Sequence, residues 1–137
     1  MSQPIPNPNR RSPKPSRVHR GTRAHRTGLQ AEAAACQALR DDGWTILGQR
    51  LRTASGEVDV VAEKHGLLAF IEVKHRTTLA TAAASISPRQ RARLLGAAEI
   101  LLAEHPEWGR AGVRFDVMLL DTAGTVRRIT DAFRLEQ

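Results

Sequence analysis

Apolar residues recur at helical spacing in one early segment of the chain. They repeat every three to four residues after Thr27, which predicts a helix that ends at Gly43. Thr27 and Gln30 form a candidate capping box at its start. The repeating positions are Leu29, Ala33, Cys36 and Leu39.

Extended apolar runs follow this helix and predict three consecutive strands, at residues 44–52, 57–63 and 67–75. His65-Gly66 has the composition of a two-residue hairpin turn between the second and third strands. In that register Lys64 faces Leu67, and Asp59 faces Glu72.

A second helix and two further strands complete the predicted order. The segment Ser87-Pro88-Arg89-Gln90 is a helix start with an N-cap serine, and Pro106 ends that helix after about residue 104. Strands are expected at residues 113–120 and 125–129. The order αβββαβ plus a last strand predicts an α/β fold with a mixed central sheet flanked by helices.

The positive charge of the chain is concentrated at one end. The 137 residues have a formal net charge of +7, and residues 1–27 carry seven basic side chains and no acid. Five of the seven prolines lie in the first fifteen residues. We therefore predict a disordered basic tail at residues 1–27 and one folded domain at residues 28–137. Such a tail suits a polyanion such as DNA or RNA, or it only adds solubility.

Cysteine usage and hydropathy bear on the compartment. Cys36 is the only cysteine, so an internal disulfide is excluded and a reducing cytoplasm is expected. No apolar run approaches membrane-spanning length. We predict a cytoplasmic protein that does not bind membranes.

Charged residues stand inside two of the apolar strands. Asp59 lies among valines of the second strand, and Glu72 and Lys74 share one face of the third. Charges are rare in such strands unless they are paired, bind a metal or do chemistry. Two facing carboxylates also repel each other unless a cation lies between them.

A third acid, Glu32, falls within the apolar stripe of the first helix. We predict that Asp59, Glu72 and Glu32 hold a metal ion, with Glu32 alternatively orienting the metal's water. Hard oxygen ligands without a Cys or His cluster favour Mg²⁺ or Mn²⁺. Lys74 would orient or deprotonate that water, or neutralise charge on a phosphate.

A structural explanation stands beside this one. Glu57 and Lys74 could form a plain cross-strand ion pair, with Asp59 and Glu72 on a solvated sheet face. Arg114 and Asp116, which share a strand face, are likewise predicted to form a structural pair.

These residues resemble the restriction-endonuclease-like nuclease superfamily, whose motif is an Asp followed by (Asp/Glu)-x-Lys. Within it the chain resembles the YraN-like family of small, uncharacterised bacterial proteins, over about residues 28–133. Ala31 replaces the family's usual glycine, and Gln90 stands where a lysine is common. The matching segments are Ala31-Glu32, Gly56-Glu57-Val58-Asp59, Ile71-Glu72-Val73-Lys74-His75-Arg76, Ser87-Pro88-Arg89-Gln90 and Arg114-Phe115-Asp116-Val117.

The resemblance implies a restriction-endonuclease-like fold and a Mg²⁺- or Mn²⁺-dependent endonuclease that hydrolyses phosphodiester bonds in DNA or RNA. Archaeal Holliday junction resolvases have a similar layout, which implies selectivity for nucleic-acid structure. A resolvase-like role would need a homodimer, and no dimer face is recognisable in the sequence. The residues expected to contact nucleic acid are Arg76, Arg89, Gln90 and Arg93.

Two other functions remain open from the sequence. The chain could bind nucleic acid on the same fold with little or no turnover, or it could be an interaction module whose acids are structural. Metal binding separates the nuclease from the other two, and salt-dependent binding of nucleic acid separates the second from the third.

Overall fold

The helices and strands of this protein follow the order αβββαββ in a computed structural model that describes residues 15–75 and 86–133, with side chains from residue 28 onward. Residues 1–14, 76–85 and 134–137 lie outside this range, and Arg76 is among them. The elements are α1 (Pro15–Asp41), β1 (Thr45–Thr53), β2 (Gly56–Lys64), β3 (Leu67–His75), α2 (Pro88–Glu104), β4 (Gly112–Leu120) and β5 (Val126–Phe133).

The five strands form one mixed sheet in the order β1-β2-β3-β4-β5. Strands β1, β2 and β3 are antiparallel neighbours, as are β4 and β5, whereas β3 and β4 are parallel. A parallel pair needs a crossover connection, and α2 lies in the segment that joins β3 to β4. The prediction of an α/β fold with a mixed central sheet is confirmed.

The two helices cover opposite faces of the sheet. Successive residues of β2 alternate between two apolar clusters, because neighbouring side chains of a strand point to opposite faces. The α1-side core contains Ala35, Cys36, Leu39, Trp44, Val60, Ala62, Ala69, Ile71 and Met118. The α2-side core includes Val58, Val61, Leu68, Phe70, Leu94, Ala97, Ala98, Leu101 and Phe115.

Helix α1 differs from the prediction at its start and agrees with it at its end. It begins at Pro15, so Thr27 lies within the helix and does not cap it. At the other end Gly43 has a φ of 86°, and the N–H of Trp44 donates to the carbonyl of Leu39 at 2.9 Å. The division into tail and domain at residue 27 stays a prediction. No helix in the described ranges is long and apolar enough to cross a membrane.

The predicted turns and caps that position the hairpin and α2 are present. His65 and Gly66 have φ angles of 52° and 82°, as a two-residue hairpin turn requires, and Lys64 pairs with Leu67. At the start of α2, Ser87 and Gln90 form the predicted capping box. Strand β5 runs further than expected, to Phe133.

Candidate active site

The β2–β3 hairpin brings the two strand acids together. The predicted register is confirmed over five ladder pairs, from Lys64–Leu67 to Val60–Ile71. The next residues in this register are Asp59 and Glu72. Their carboxyl groups lie within hydrogen-bonding reach of each other.

Asp59 ends the regular pairing of β2 with β3. Its Oδ2 accepts a 2.8 Å hydrogen bond from the main-chain N–H of Val73. Val58 packs in the α2-side core and Val60 in the α1-side core, although residues two apart in a regular strand share a face. The alternation of β2 is therefore broken at Asp59, where a side chain substitutes for a backbone ladder partner.

The environment of Asp59 favours its protonated form. Burial raises its pKa from 3.8 to about 7, and the nearby Glu72 carboxyl group adds to this effect through its charge and a hydrogen bond. The charge of Glu32 acts in the same direction, while the Val73 N–H opposes it. At neutral pH Asp59 is therefore protonated part of the time.

Lys74 is the cation beside this pair. Its Nζ lies 2.9 Å from Oε2 of Glu72, and the two side chains are only 13% and 12% exposed. Glu57, which the structural explanation pairs with Lys74, contacts Arg52 at 3.2 Å. Lys74 thus accompanies the acids, as the (Asp/Glu)-x-Lys spacing predicted.

An open cavity of about 240 Å³ adjoins the acid pair. One wall comes from the β2–β3 hairpin and the other from the first turns of α2, so groups from both elements can reach the same bound molecule. The cavity is lined by Gly56, Glu57, Asp59, Glu72, Gln90, Arg93 and Leu94.

Two glycines allow close contact between α2 and the turn that joins β1 to β2. A Cβ on Gly56 would be 3.3 Å from Cβ of Arg93, and a Cβ on Gly96 would be 2.8 Å from Oγ of Ser55. Larger residues at these positions would push the helix away from the sheet. The close approach therefore positions Gln90 and Arg93 over the acid pair.

Glu32 has a partner that the sequence did not indicate. Its Oε1 accepts a 2.9 Å hydrogen bond from Nε of Arg50, with Glu32 15% exposed. Arg50 lies between the ladder pairs Gln49–Val60 and Leu51–Val58, and Asp59 lies between the same two pairs on β2. The residue types around Arg50 do not predict the contact with Glu32. What distinguishes Arg50 is its backbone conformation, a left-handed φ of 51°, which is rare for an arginine.

Only some of the predicted nucleic-acid-binding residues lie at the cavity. Gln90 and Arg93 line the cavity, whereas Arg89 is exposed outside its lining. Arg91 points elsewhere, with its guanidinium 5.9 Å from the centre of the Phe133 ring. Arg76 falls in the part of the chain that is not described.

The donor set at the acid pair fits a hard divalent cation. Asp59 and Glu72 supply oxygen ligands alone, and their mutual repulsion would be relieved by a positive charge between them. Within residues 28–75 and 86–133, no three His, Cys, Asp or Glu side chains converge in a way that could hold a metal. Glu32, held by Arg50, therefore does not join the pair as a third ligand in this geometry.

A second charged cluster lies on the β4–β5 side of the sheet. Asp116 is 1% exposed and accepts two hydrogen bonds from Arg114, at 2.9 and 2.8 Å. It also accepts from Nε of Arg128 at 3.2 Å and from the N–H of Asp131 at 2.9 Å. Both guanidinium groups lie over the Trp44 ring. The predicted Arg114–Asp116 pair is confirmed.

Comparison with known proteins gives one consistent family. The profile described as uncharacterised protein family UPF0102 matches residues 31–120. A UPF0102 protein of Granulibacter bethesdensis is 60% identical over 121 residues, which are 88% of this chain and 77% of that protein. UPF0102 proteins of Azorhizobium caulinodans and Acidiphilium cryptum are each 47% identical, covering 82% and 83% of this chain and 86% and 88% of their own lengths. The chain therefore belongs to the uncharacterised protein family UPF0102.

Proposed function

We propose that this protein is a Mg²⁺- or Mn²⁺-dependent endonuclease with a restriction-endonuclease-like fold, acting on DNA or RNA. One observation carries the proposal: the carboxyl groups of Asp59 and Glu72 meet beside the mostly buried Lys74 at an open cavity. A carboxyl group in a cleft whose pKa is strongly raised, as that of Asp59 is, is typical of catalytic sites.

Each residue of the site has a separate role in this proposal. Asp59 and Glu72 hold the cation, which supplies charge neutralisation at the phosphoryl group and a water of lowered pKa. Lys74 orients that water or balances the charge that develops on the phosphate. Glu32 helps to orient the water. The substrate backbone is held by Gln90 and Arg93 in the cavity and by Arg89, which is exposed outside its lining. The expected contact of Arg76 with nucleic acid stays a prediction from the sequence.

Cleavage of a panel of nucleic acids in Mn²⁺ or Mg²⁺ tests this function. Duplex DNA, single-stranded DNA, a branched junction and RNA are incubated with wild type, Lys74→Ala and the control Lys64→Ala. Lys64 lies at the other end of the same hairpin, where it contacts Asp42. We expect wild type and Lys64→Ala to cleave at least one substrate, and Lys74→Ala to be slower by roughly 100-fold or more. Equal cleavage by wild type and Lys74→Ala would identify a contaminant and defeat the proposal.

A second candidate is a nucleic-acid-binding protein with little or no turnover. The pairing of Glu32 with Arg50 favours it, because a guanidinium then engages the third acid that a metal site could use. Binding to DNA or RNA in EDTA that weakens with salt, together with no cleavage in Mn²⁺, would support this candidate over the nuclease.

A further inference from the structure

Arg50 adopts a backbone conformation that its residue type does not favour. Its φ of 51° lies in the left-handed region, within a strand whose ladder pairs continue on both sides. Glycine, asparagine and aspartate enter this region far more readily than arginine. The local backbone geometry therefore does not account for an arginine here, and the reason lies in its side chain.

The guanidinium of Arg50 is close to the acids of the site and also open to solvent. The side chain is 39% exposed, and its Nε donates to Glu32. The hydrogen bond to Glu32 raises the pKa of Arg50, as do the charge of Glu32 and, more weakly, those of Glu57 and Asp59, so Arg50 stays protonated. Glu57 and Asp59 line the cavity, so Arg50 on β1 lies near the end of β2 that borders the cavity.

Two explanations fit an arginine in this place. It could simply offset the negative charge of the neighbouring carboxylates. However, a guanidinium has five N–H donors in a fork that matches a phosphate group. The hydrogen bond to Glu32 uses Nε, and the Arg50 side chain is 39% exposed, so the terminal N–H groups of the guanidinium can reach a phosphate in solvent.

We propose that Arg50 binds a phosphodiester group of the nucleic-acid strand, next to the one held at the acid pair. This inference rests on the proposed function for the identity of the strand. Arg50 and Asp59 lie between the same two ladder pairs of β1 and β2, so a strand whose scissile phosphate lies over Asp59 and Glu72 would carry a neighbouring phosphate toward Arg50. Bidentate contact through the guanidinium fork fixes the position of the backbone.

Binding measured without cleavage tests this role. Fluorescent single-stranded DNA and RNA of one sequence are titrated in Ca²⁺ at several salt concentrations. The variants are Arg50→Gln, the double variant Glu32→Gln/Arg50→Gln and the control Arg127→Gln. The double variant removes both charges of the pair, so Glu32 is not left as an unpaired carboxylate. Arg127 is 57% exposed on β5, at the opposite edge of the sheet.

We expect Arg50→Gln and the double variant each to bind about tenfold more weakly. The slope of log K against log salt should also fall by about 0.7, the contribution of one phosphate contact on a single strand. Arg127→Gln should bind as wild type, and the tighter of the two nucleic acids identifies the substrate class.

Other results would overturn the role of Arg50. Wild-type affinity in the double variant would show that Arg50 only compensates Glu32, and an unchanged salt slope in both variants would exclude the phosphate contact. No binding by the wild type would also refute it. Absence of cleavage in Mn²⁺ with the Arg50 effect intact would reject the nuclease and leave the binding role standing.

Discussion

The main-chain N–H of Val73 donates a 2.8 Å hydrogen bond to Oδ2 of Asp59, just beyond the last ladder pair of the β2–β3 hairpin. This bond fixes the Asp59 carboxyl beside Glu72 and favours its ionised form. Burial and the Glu72 carboxyl favour the protonated form more strongly, so the pKa of Asp59 rises to about 7. The hairpin thus holds an acid in place at the expense of folding stability.

Asp59→Asn should stabilise the protein in a pH-dependent manner. The variant keeps an oxygen acceptor for Val73 but cannot ionise. The pKa of Asp59 is raised from 3.8 to about 7 in the folded protein. Below about pH 4 the carboxyl group is protonated in both the folded and the unfolded state and does not lower the stability of the wild type. As the pH rises to about 7, the unfolded state ionises more readily than the folded state, and the wild type loses stability. We expect the variant to exceed wild type by roughly 2–4 kcal/mol at pH 8, since one pKa unit corresponds to about 1.4 kcal/mol, and to equal it near pH 3.5.

Urea denaturation of both proteins across this pH range measures the difference. Glu99→Gln, an exposed substitution on α2, is the control and should follow the wild-type curve. A stability difference that stays constant with pH would contradict the raised pKa of Asp59.

The Lys74–Glu72 pair should couple more strongly than an exposed pair on the same hairpin. Its side chains are 13% and 12% exposed, whereas those of Arg52 and Glu57 are 88% and 41% exposed. A double-mutant cycle with glutamine at both positions should give a coupling energy of about 1–3 kcal/mol for Lys74 and Glu72. The same cycle for Arg52 and Glu57 should give about 0–1 kcal/mol.

Thermal or chemical denaturation supplies the four free energies of unfolding in each cycle. Raising the salt concentration should reduce the exposed coupling further and affect the less exposed one little. Equal coupling energies for the two pairs would show that Lys74 is no more than a surface charge.

The hairpin could be predicted from the sequence because its determinants are local. His65-Gly66 specifies a two-residue turn, and this turn sets the register that continues to Asp59 and Glu72. The capping box at Ser87 and Gln90 was equally local, and it fixed the start of α2.

The remaining parts of the site depend on contacts between distant segments. The Glu32–Arg50 pair joins α1 to β1, and the bond from Val73 to Asp59 replaces a backbone interaction with a side-chain one. Residue type and spacing carry no information on either. Strand β5 also extends past its predicted end because Phe133 pairs with Phe115 and stacks on it at 5.0 Å between ring centres.

Asp116→Ala should be among the most destabilising single substitutions in the chain. The variant would leave Arg114 and Arg128, which are 23% and 19% exposed, without their shared carboxylate. Removing one partner of a buried charge network typically costs about 3–5 kcal/mol. Asp116→Asn retains one acceptor oxygen and should cost less.

Equilibrium unfolding of both variants measures the cost. Asp121→Ala is a useful comparison because Asp121 is 12% exposed and also accepts main-chain hydrogen bonds, from Ala123 and Thr125, whereas its cation Arg127 is 57% exposed and 3.7 Å away. If Asp116→Ala were no more destabilising than Asp121→Ala, the network would contribute little to stability.

Gly96→Ala should destabilise the protein, although alanine normally favours a helix over glycine by about 1 kcal/mol. The new Cβ would lie 2.8 Å from Oγ of Ser55 and 2.9 Å from its Cβ, so α2 would have to move off the β1–β2 turn. We expect a net cost of about 1–3 kcal/mol. Because α2 carries Gln90 and Arg93, the same shift should weaken nucleic-acid binding.

Two further variants separate the contact from the helix propensity. Gly28→Ala, on α1, has nothing within 4 Å of its new Cβ and should increase the free energy of unfolding. Ser55→Gly in the Gly96→Ala background removes both clashing atoms and should recover most of the lost stability. If Gly96→Ala instead stabilised the protein as Gly28→Ala does, close contact of this glycine with Ser55 would not be what holds α2 against the β1–β2 turn.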